Sequence, residues 1–86
     1  MYAKVENASP LELLQNAVVS NLQYQVSSSI RGLTIEVFDY SGRITYKTSV
    51  KSGVQHINVS SWSAGEYVIR LLTLEGQVYS QRFIKH

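Results

Sequence analysis

Tyr67-Val68-Ile69-Arg70-Leu71-Leu72-Thr73-Leu74-Glu75-Gly76-Gln77-Val78-Tyr79-Ser80-Gln81-Arg82-Phe83 reads as two β-strands joined by a tight turn. Both arms are rich in β-branched and aromatic residues, as strands prefer. A two-residue loop at Glu75-Gly76 would force φ > 0 on Glu75, which is costly for a residue with a Cβ. A three-residue loop, Leu74-Glu75-Gly76, asks this only of Gly76 and is the preferred reading. It opposes Leu72 to Val78, Leu71 to Tyr79, Ile69 to Gln81 and Tyr67 to Phe83. Tyr67, Ile69, Leu71, Tyr79 and Phe83 then share one face, the predicted core. A slip of one residue would scatter them. The other face carries Val68, Leu72 and Val78 beside Arg70 and Arg82. A solvent-facing sheet is usually more polar. Either this face meets a partner, a second copy forming a homodimer included, or the twist of the sheet covers part of it. Scattered apolar surface is itself ordinary.

The same period of two runs through most of the chain. Leu22, Tyr24 and Val26 fall on one face of Asn21–Val26. Leu33, Ile35 and Val37 repeat the pattern, as do Ile44 and Tyr46. Val54–Val59 follows it less cleanly. Six or seven short strands separated by Gly and Ser turns predict an all-β sandwich or barrel. Only Ser9-Pro10-Leu11-Glu12-Leu13-Leu14-Gln15 is ambiguous. Ser9 could cap a helix with Pro10 in its first turn and Glu12 at capping-box spacing. A helix this short is marginal alone, and an edge strand starting at Pro10 is the other reading. Ser27-Ser28-Ser29 reads as a turn or loop. Residues 1–14 are expected to be a linker or entering segment, and residues 15–86 the sandwich.

A chain of 86 residues is one domain. Its net stability should be roughly 4–13 kcal/mol, from ~0.05–0.15 kcal/mol per residue. No cysteine is present, so neither disulfides nor a thiolate metal site can help. The formal charge of +2 is uneven. Lys4 and Arg31 against Glu6, Glu12, Glu36 and Asp39 give the first 42 residues −2. Arg43, Lys47, Lys51, Arg70, Arg82 and Lys85 against Glu66 and Glu75 give the remainder +4. A basic half can attract an anionic partner such as lipopolysaccharide or nucleic acid. Lys and Arg also act as anti-aggregation charges on a solvated sheet. The basic residues are expected to serve in that way, with no nucleic-acid partner. No run of ~20 apolar residues exists to span a bilayer as a helix. Met1-Tyr2-Ala3-Lys4-Val5-Glu6 lacks the apolar region of a signal peptide. If the protein is exported, the leader is expected upstream.

The residues of catalysis are sparse. His56 and His86 are the only histidines, and neither has metal-ligand spacing, so no metal or cofactor is expected. No serine sits in a nucleophile elbow. Glu36 and Asp39 are close in sequence, but Asp39 suits a turn role, its carboxylate bonding the backbone two residues on. The six acids offer no cleft with two facing carboxylates. An enzyme is not expected. Tyr2, Tyr24, Tyr40, Tyr46, Trp62 and Tyr79 could stack on sugars. Trp62 equally reads as a plug at one end of the sandwich. Asn58-Val59-Ser60 matches the N-glycosylation tripeptide, a pattern common by chance.

Four motifs in order carry a resemblance. Asn16-Ala17-Val18-Val19-Ser20-Asn21-Leu22 is a small-residue opening into an apolar strand. Phe38-Asp39-Tyr40-Ser41-Gly42-Arg43-Ile44 ends a strand in aromatic-Asp-x-x-Gly-basic-apolar. Gly53-Val54-Gln55-His56-Ile57-Asn58-Val59-Ser60 fits Gly-x-x-x-Ile-x-Val-Ser. Trp62-Ser63-Ala64-Gly65-Glu66-Tyr67 fits Leu-x-x-Gly-x-Tyr with Trp62 at the Leu position. Phe83-Ile84-Lys85 follows as an apolar end with a basic residue. From about Gln15 to Lys85 the chain resembles the C-terminal sorting domain of type IX (Por) secretion cargo, type A. The resemblance implies a seven-stranded immunoglobulin-like antiparallel sandwich. It implies a non-enzymatic signal at the end of a larger cargo protein, recognised by an outer-membrane translocon of Gram-negative bacteria. A sortase then removes the domain, and the cargo is attached to the surface or released. Localisation would be exported, periplasmic in transit, then cell-surface or extracellular. On this reading the signal residues are Asp39, Gly42, Arg43, Gly65, Tyr67, Arg82 and Lys85. Arg82 and Lys85 form the recognised surface with the Gly65–Tyr67 turn, while Tyr67 serves folding. Val68, Leu72 and Val78 are a further contact face. The other reading is a carbohydrate-binding or adhesive immunoglobulin-like module.

Overall fold

A computed structural model describes residues 10–15, 17–28 and 30–86. Tyr2, Ser9, Asn16 and Ser29, invoked above, lie outside the described residues. Among the described residues eight strands follow one another: β1 (Leu11–Leu13), β2 (Ala17–Val18), β3 (Asn21–Val26), β4 (Gly32–Asp39), β5 (Ile44–Ser49), β6 (Gly53–Asn58), β7 (Gly65–Thr73) and β8 (Val78–Lys85). No helix occurs among the described residues. The strands form two sheets, β1-β3-β6 and β2-β8-β7-β4-β5. Their inner faces enclose one core, to which the described residues contribute thirteen buried apolar side chains, including Leu22, Ile35, Ile69, Leu71 and Phe83. Every pairing is antiparallel except β2 with β8, which is parallel.

The β7–β8 hairpin has the register expected from its turn chemistry. Tyr67 faces Phe83, Ile69 faces Gln81, Leu71 faces Tyr79 and Leu72 faces Val78. Gly76 has φ 89°, where a Cβ would be strained, and its N–H donates to the Thr73 carbonyl at 3.0 Å. The β4–β5 turn has the same form. Gly42 N–H donates to the Asp39 carbonyl at 3.0 Å, and Asp39 N–H to the Arg43 carbonyl at 2.9 Å.

Elsewhere the alternation is interrupted. Val37 pairs with Tyr46, but Phe38 pairs with Ile44, so Thr45 is an extra residue on β5. Such a bulge puts its neighbours on opposite faces. Tyr46 packs against the core while Ile44 is exposed, so these two do not share a face as expected. A second irregularity between Gly32 and Thr34 leaves Leu33 exposed, although Ile35 and Val37 are buried.

The ambiguous segment is resolved by pairing. Leu11, Glu12 and Leu13 lie opposite Val26, Gln25 and Tyr24, and Leu11 is fully buried. This is an edge strand rather than a helix, because β3 offers a hydrogen-bonding edge that a three-residue helical turn could not match. The segment expected to enter or link the sandwich therefore supplies a core side chain.

Candidate functional site

Strand directions bring distant motifs to one end of the sandwich. β4 ends at Asp39, which pairs with Tyr67 near the start of β7. Gly65 pairs with Lys85 at the end of β8. The β4–β5 turn, residues 59–64 and the end of β8 thus share a pole. The 74–76 turn lies at the opposite end, and Pro10, whose carbonyl accepts from Ser27 N–H at 2.8 Å, lies at the end of the three-stranded sheet away from Asn58. Eight steps of β7 separate the ends, about 26 Å at ~3.3 Å per residue.

Two side-chain turns fix the backbone of the pole. Asp39 Oδ1 accepts from the Ser41 N–H (3.0 Å), the Ser41 hydroxyl (2.7 Å) and the Arg43 N–H (3.0 Å). The Ser41 hydroxyl and the Arg43 N–H hold the Asp39 carboxyl below its ordinary pKa, because both favour the charged form. Arg43 Nε lies 3.4 Å from Oδ2, and its side chain is otherwise in solvent. Asn58 repeats the arrangement, accepting from the Ser60 N–H at 3.0 Å and the Ser60 hydroxyl at 2.7 Å. The amide oxygen of the glycosylation tripeptide is therefore engaged in a turn.

Behind these turns stands an aromatic row. Tyr67 stacks on Phe83 with centroids 5.4 Å apart and planes 14° apart. Trp62 lies 5.2 Å from Tyr67 and 6.2 Å from Tyr46. The Tyr67 hydroxyl donates to the Ser63 carbonyl at 2.6 Å, tying the loop to β7. Gly65 opens the strand at φ 149°, a conformation that favours glycine. An open groove runs across the pole, lined by Tyr40, Arg43, Ile44, Trp62, Gly65 and Tyr67. Tyr40 is 87% exposed, the most exposed of the large hydrophobic residues at this end.

The outer face of the five-stranded sheet joins the groove. Its depression is lined by Phe38, Tyr40, Glu66, Val68, Arg70 and Arg82, among others. Glu36 is buried and faces Arg70 at 2.9 Å and Lys47 at 3.9 Å. The Arg70 guanidinium lies 4.6 Å from the Phe38 ring centroid. Arg82 reaches Glu66 at 3.2 Å. Val68 and Leu72 are half-buried here and Val78 is exposed. Twist and neighbouring side chains thus cover part of the face but not its Val78 end.

Asp39, Gly42, Arg43, Gly65 and Tyr67 are gathered at the pole, with Lys85 opposite Gly65. Arg82 and Lys85, however, point to opposite sides of β8. Lys85 is 7% exposed, and its Nζ donates to the His86 carbonyl at 2.7 Å. The alternation that puts Phe83 inside puts Lys85 inside as well. Only Arg82 of the two presents its charge to solvent. Phe38, Glu36 and Ile44 shape the site without having been singled out for it. No group of three or more His, Cys, Asp or Glu residues able to hold a metal occurs among the described residues.

Residues 16–86 match the family described as secretion system C-terminal sorting domain. The chain belongs to this family. The sorting domain is thus a C-terminal type IX secretion signal, which implies a fused cargo, secretion machinery, and export through the outer membrane to the cell surface or extracellular space. No curated protein matches the chain. Among solved structures it is similar to a duf3244 family protein with an immunoglobulin-like β-sandwich fold from Bacteroides vulgatus. The TM-score is 0.72 at 20% identity, covering 90% of this chain and 85% of that one. That likeness establishes the immunoglobulin-like fold of the sorting domain.

Proposed function

We propose that the sorting domain acts without catalysis. It is read by the type IX outer-membrane translocon while attached to an N-terminal cargo, and a sortase then removes it. The cargo is left attached to the cell surface or released. The observation that carries this reading is the gathering of Asp39–Arg43, Gly65–Tyr67 and the end of β8 at one pole. Asp39, Gly42 and Tyr67 hold its backbone in shape. Arg43 and Arg82 supply exposed charge, and Gly65 an unhindered backbone.

The test is a fusion of residues 1–86 behind a periplasmic reporter in a type IX-competent host, compared with the same fusion lacking the last five residues. The full fusion should reach the medium or cell surface and the truncated one should not. Periplasmic retention of the full fusion would reject the reading. The exposed Tyr40 and half-buried Trp62 along one groove favour carbohydrate binding as the second reading. Glycan-array binding abolished by Trp62→Ala would support it.

A further inference from the structure

β8 is paired on one side along its whole length but on the other side only at its end. β2 pairs with it opposite Ile84 and Lys85, and among the described residues no strand pairs with Val78–Arg82 on that side; β1 approaches there only through the Gln81 side chain, whose amide donates to the Leu11 carbonyl at 3.3 Å. The ladder fixes which backbone groups are left over. Thr73 N–H donates to the Gln77 carbonyl, so Thr73–Gln77 is a hydrogen-bonded pair. In an antiparallel ladder such pairs recur every second residue. Tyr79, Gln81 and Phe83 therefore bond to β7, while the N–H and C=O of Val78, Ser80 and Arg82 point outward. His86 obeys the same parity, its N–H donating outward to the Val18 carbonyl at 2.8 Å. The other edge of this sheet, β5, carries the Thr45 bulge and the exposed Lys47, devices that blunt an edge. β8 has no bulge over this stretch.

We infer that the β8 edge from Val78 to Arg82 takes an extended strand of the translocon, added in the plane of the sheet beyond β7 and ending where β2 begins. The inference rests on the sorting-signal reading above. The side chains beside this edge define the chemistry of the added strand. Arg82 is 75% exposed and pairs with the half-exposed Glu66 at 3.2 Å, which leaves most of its guanidinium open to an acidic residue on the added strand. Val78 is 53% exposed and calls for an apolar one. A second copy fits less well. Antiparallel self-pairing about Ser80 sets Arg82 of one copy against Val78 of the other, so the strand across from each arginine supplies no acid.

Proline separates this edge from the hairpin. Ser80→Pro removes only an outward donor and places the ring where the added strand would lie, leaving every bond to β7 in place. Ser80→Ala keeps the donor. The experiment compares the full-chain reporter fusion with both variants, with thermal unfolding of each domain as the control for folding. Ser80→Pro should melt within about 8 °C of the parent yet lower export about tenfold or more, whereas Ser80→Ala is exported normally. A folded Ser80→Pro domain exported like the parent overturns the inference. If Ser80→Pro does not fold, Val78→Pro, also at an outward donor, is read by the same two outcomes. A parent domain that dimerises in sedimentation, with Ser80→Pro monomeric, would assign the edge to a second copy and also overturn it. A parent fusion that is itself retained in the periplasm rejects the sorting reading instead.

Discussion

Tyr67 joins three parts of the pole, and two substitutions separate what its ring and its hydroxyl contribute. Tyr67→Phe removes the 2.6 Å bond to the Ser63 carbonyl and leaves the ring on Phe83. A hydrogen bond of this kind is worth about 0.5–1.5 kcal/mol net. Ser63 is exposed, so water can replace the lost donor and the cost falls toward the lower end. Tyr67→Ala also removes a ring that is 5% exposed and touches Trp62 and Phe83. Deleting a buried aromatic side chain costs about 3–5 kcal/mol. Against a total of roughly 4–13 kcal/mol, that is a quarter or more of the stability. At ~4–8 °C per kcal/mol, the Phe variant should melt a few degrees below the parent and the Ala variant at least about 12 °C below. Trp62 is the only tryptophan and lies 5.2 Å from the Tyr67 ring. Urea titrations followed by its fluorescence therefore report on the pole, while circular dichroism reports on the sheets. The two curves should coincide in all three proteins. A Tyr67→Ala domain within about 0.5 kcal/mol of the parent would refute the view that this ring holds the pole together.

Three more outcomes are expected. Leu71→Ala, at a fully buried position, should cost about 2–5 kcal/mol in urea denaturation, and a loss under about 0.5 kcal/mol would contradict the hairpin register. A Cβ at Gly32 would lie 2.5 Å from Val50 Cγ1, so Gly32→Ala should destabilise by about 1–3 kcal/mol through overpacking; the double variant Gly32→Ala with Val50→Ala should regain part of the melting temperature. Asp39 has a depressed carboxyl pKa in the fold. Its stabilisation is present above the ordinary value of about 3.9 and is lost as pH falls through the folded value. Melting temperatures measured from about pH 6 to pH 2 should therefore decline less steeply for Asp39→Asn than for the parent, and parallel profiles would contradict the turn's role.

Turn chemistry and alternation made much of this fold legible in the sequence. The register of β7 with β8 follows from where glycine must sit, and it places Ile69, Leu71 and Phe83 in the core. The exceptions have non-local causes. Nothing around Thr45 or Leu33 announces an irregularity, because each arises where β4 meets a neighbouring strand. The segment at Leu11 was ambiguous because only its partner β3 distinguishes an edge strand from a short helix. The joining of Asp39, Gly65 and the end of β8 was not legible either. It depends on pairing between residues nearly thirty apart, which alternation within one strand does not encode. The burial of Lys85 is different. The same alternation that buries Phe83 predicts it, although the charge of the side chain argues for exposure.

A small sandwich that is read as a secretion address should carry any fused reporter with it. Residues 1–86 behind a periplasmic reporter should carry that reporter to the surface or medium of a type IX-competent host. Removal of the last five residues takes away Arg82, Phe83 and the β2–β8 pairing, and should abolish export. A full-length fusion that stays in the periplasm, or a truncated one exported equally well, would contradict the account.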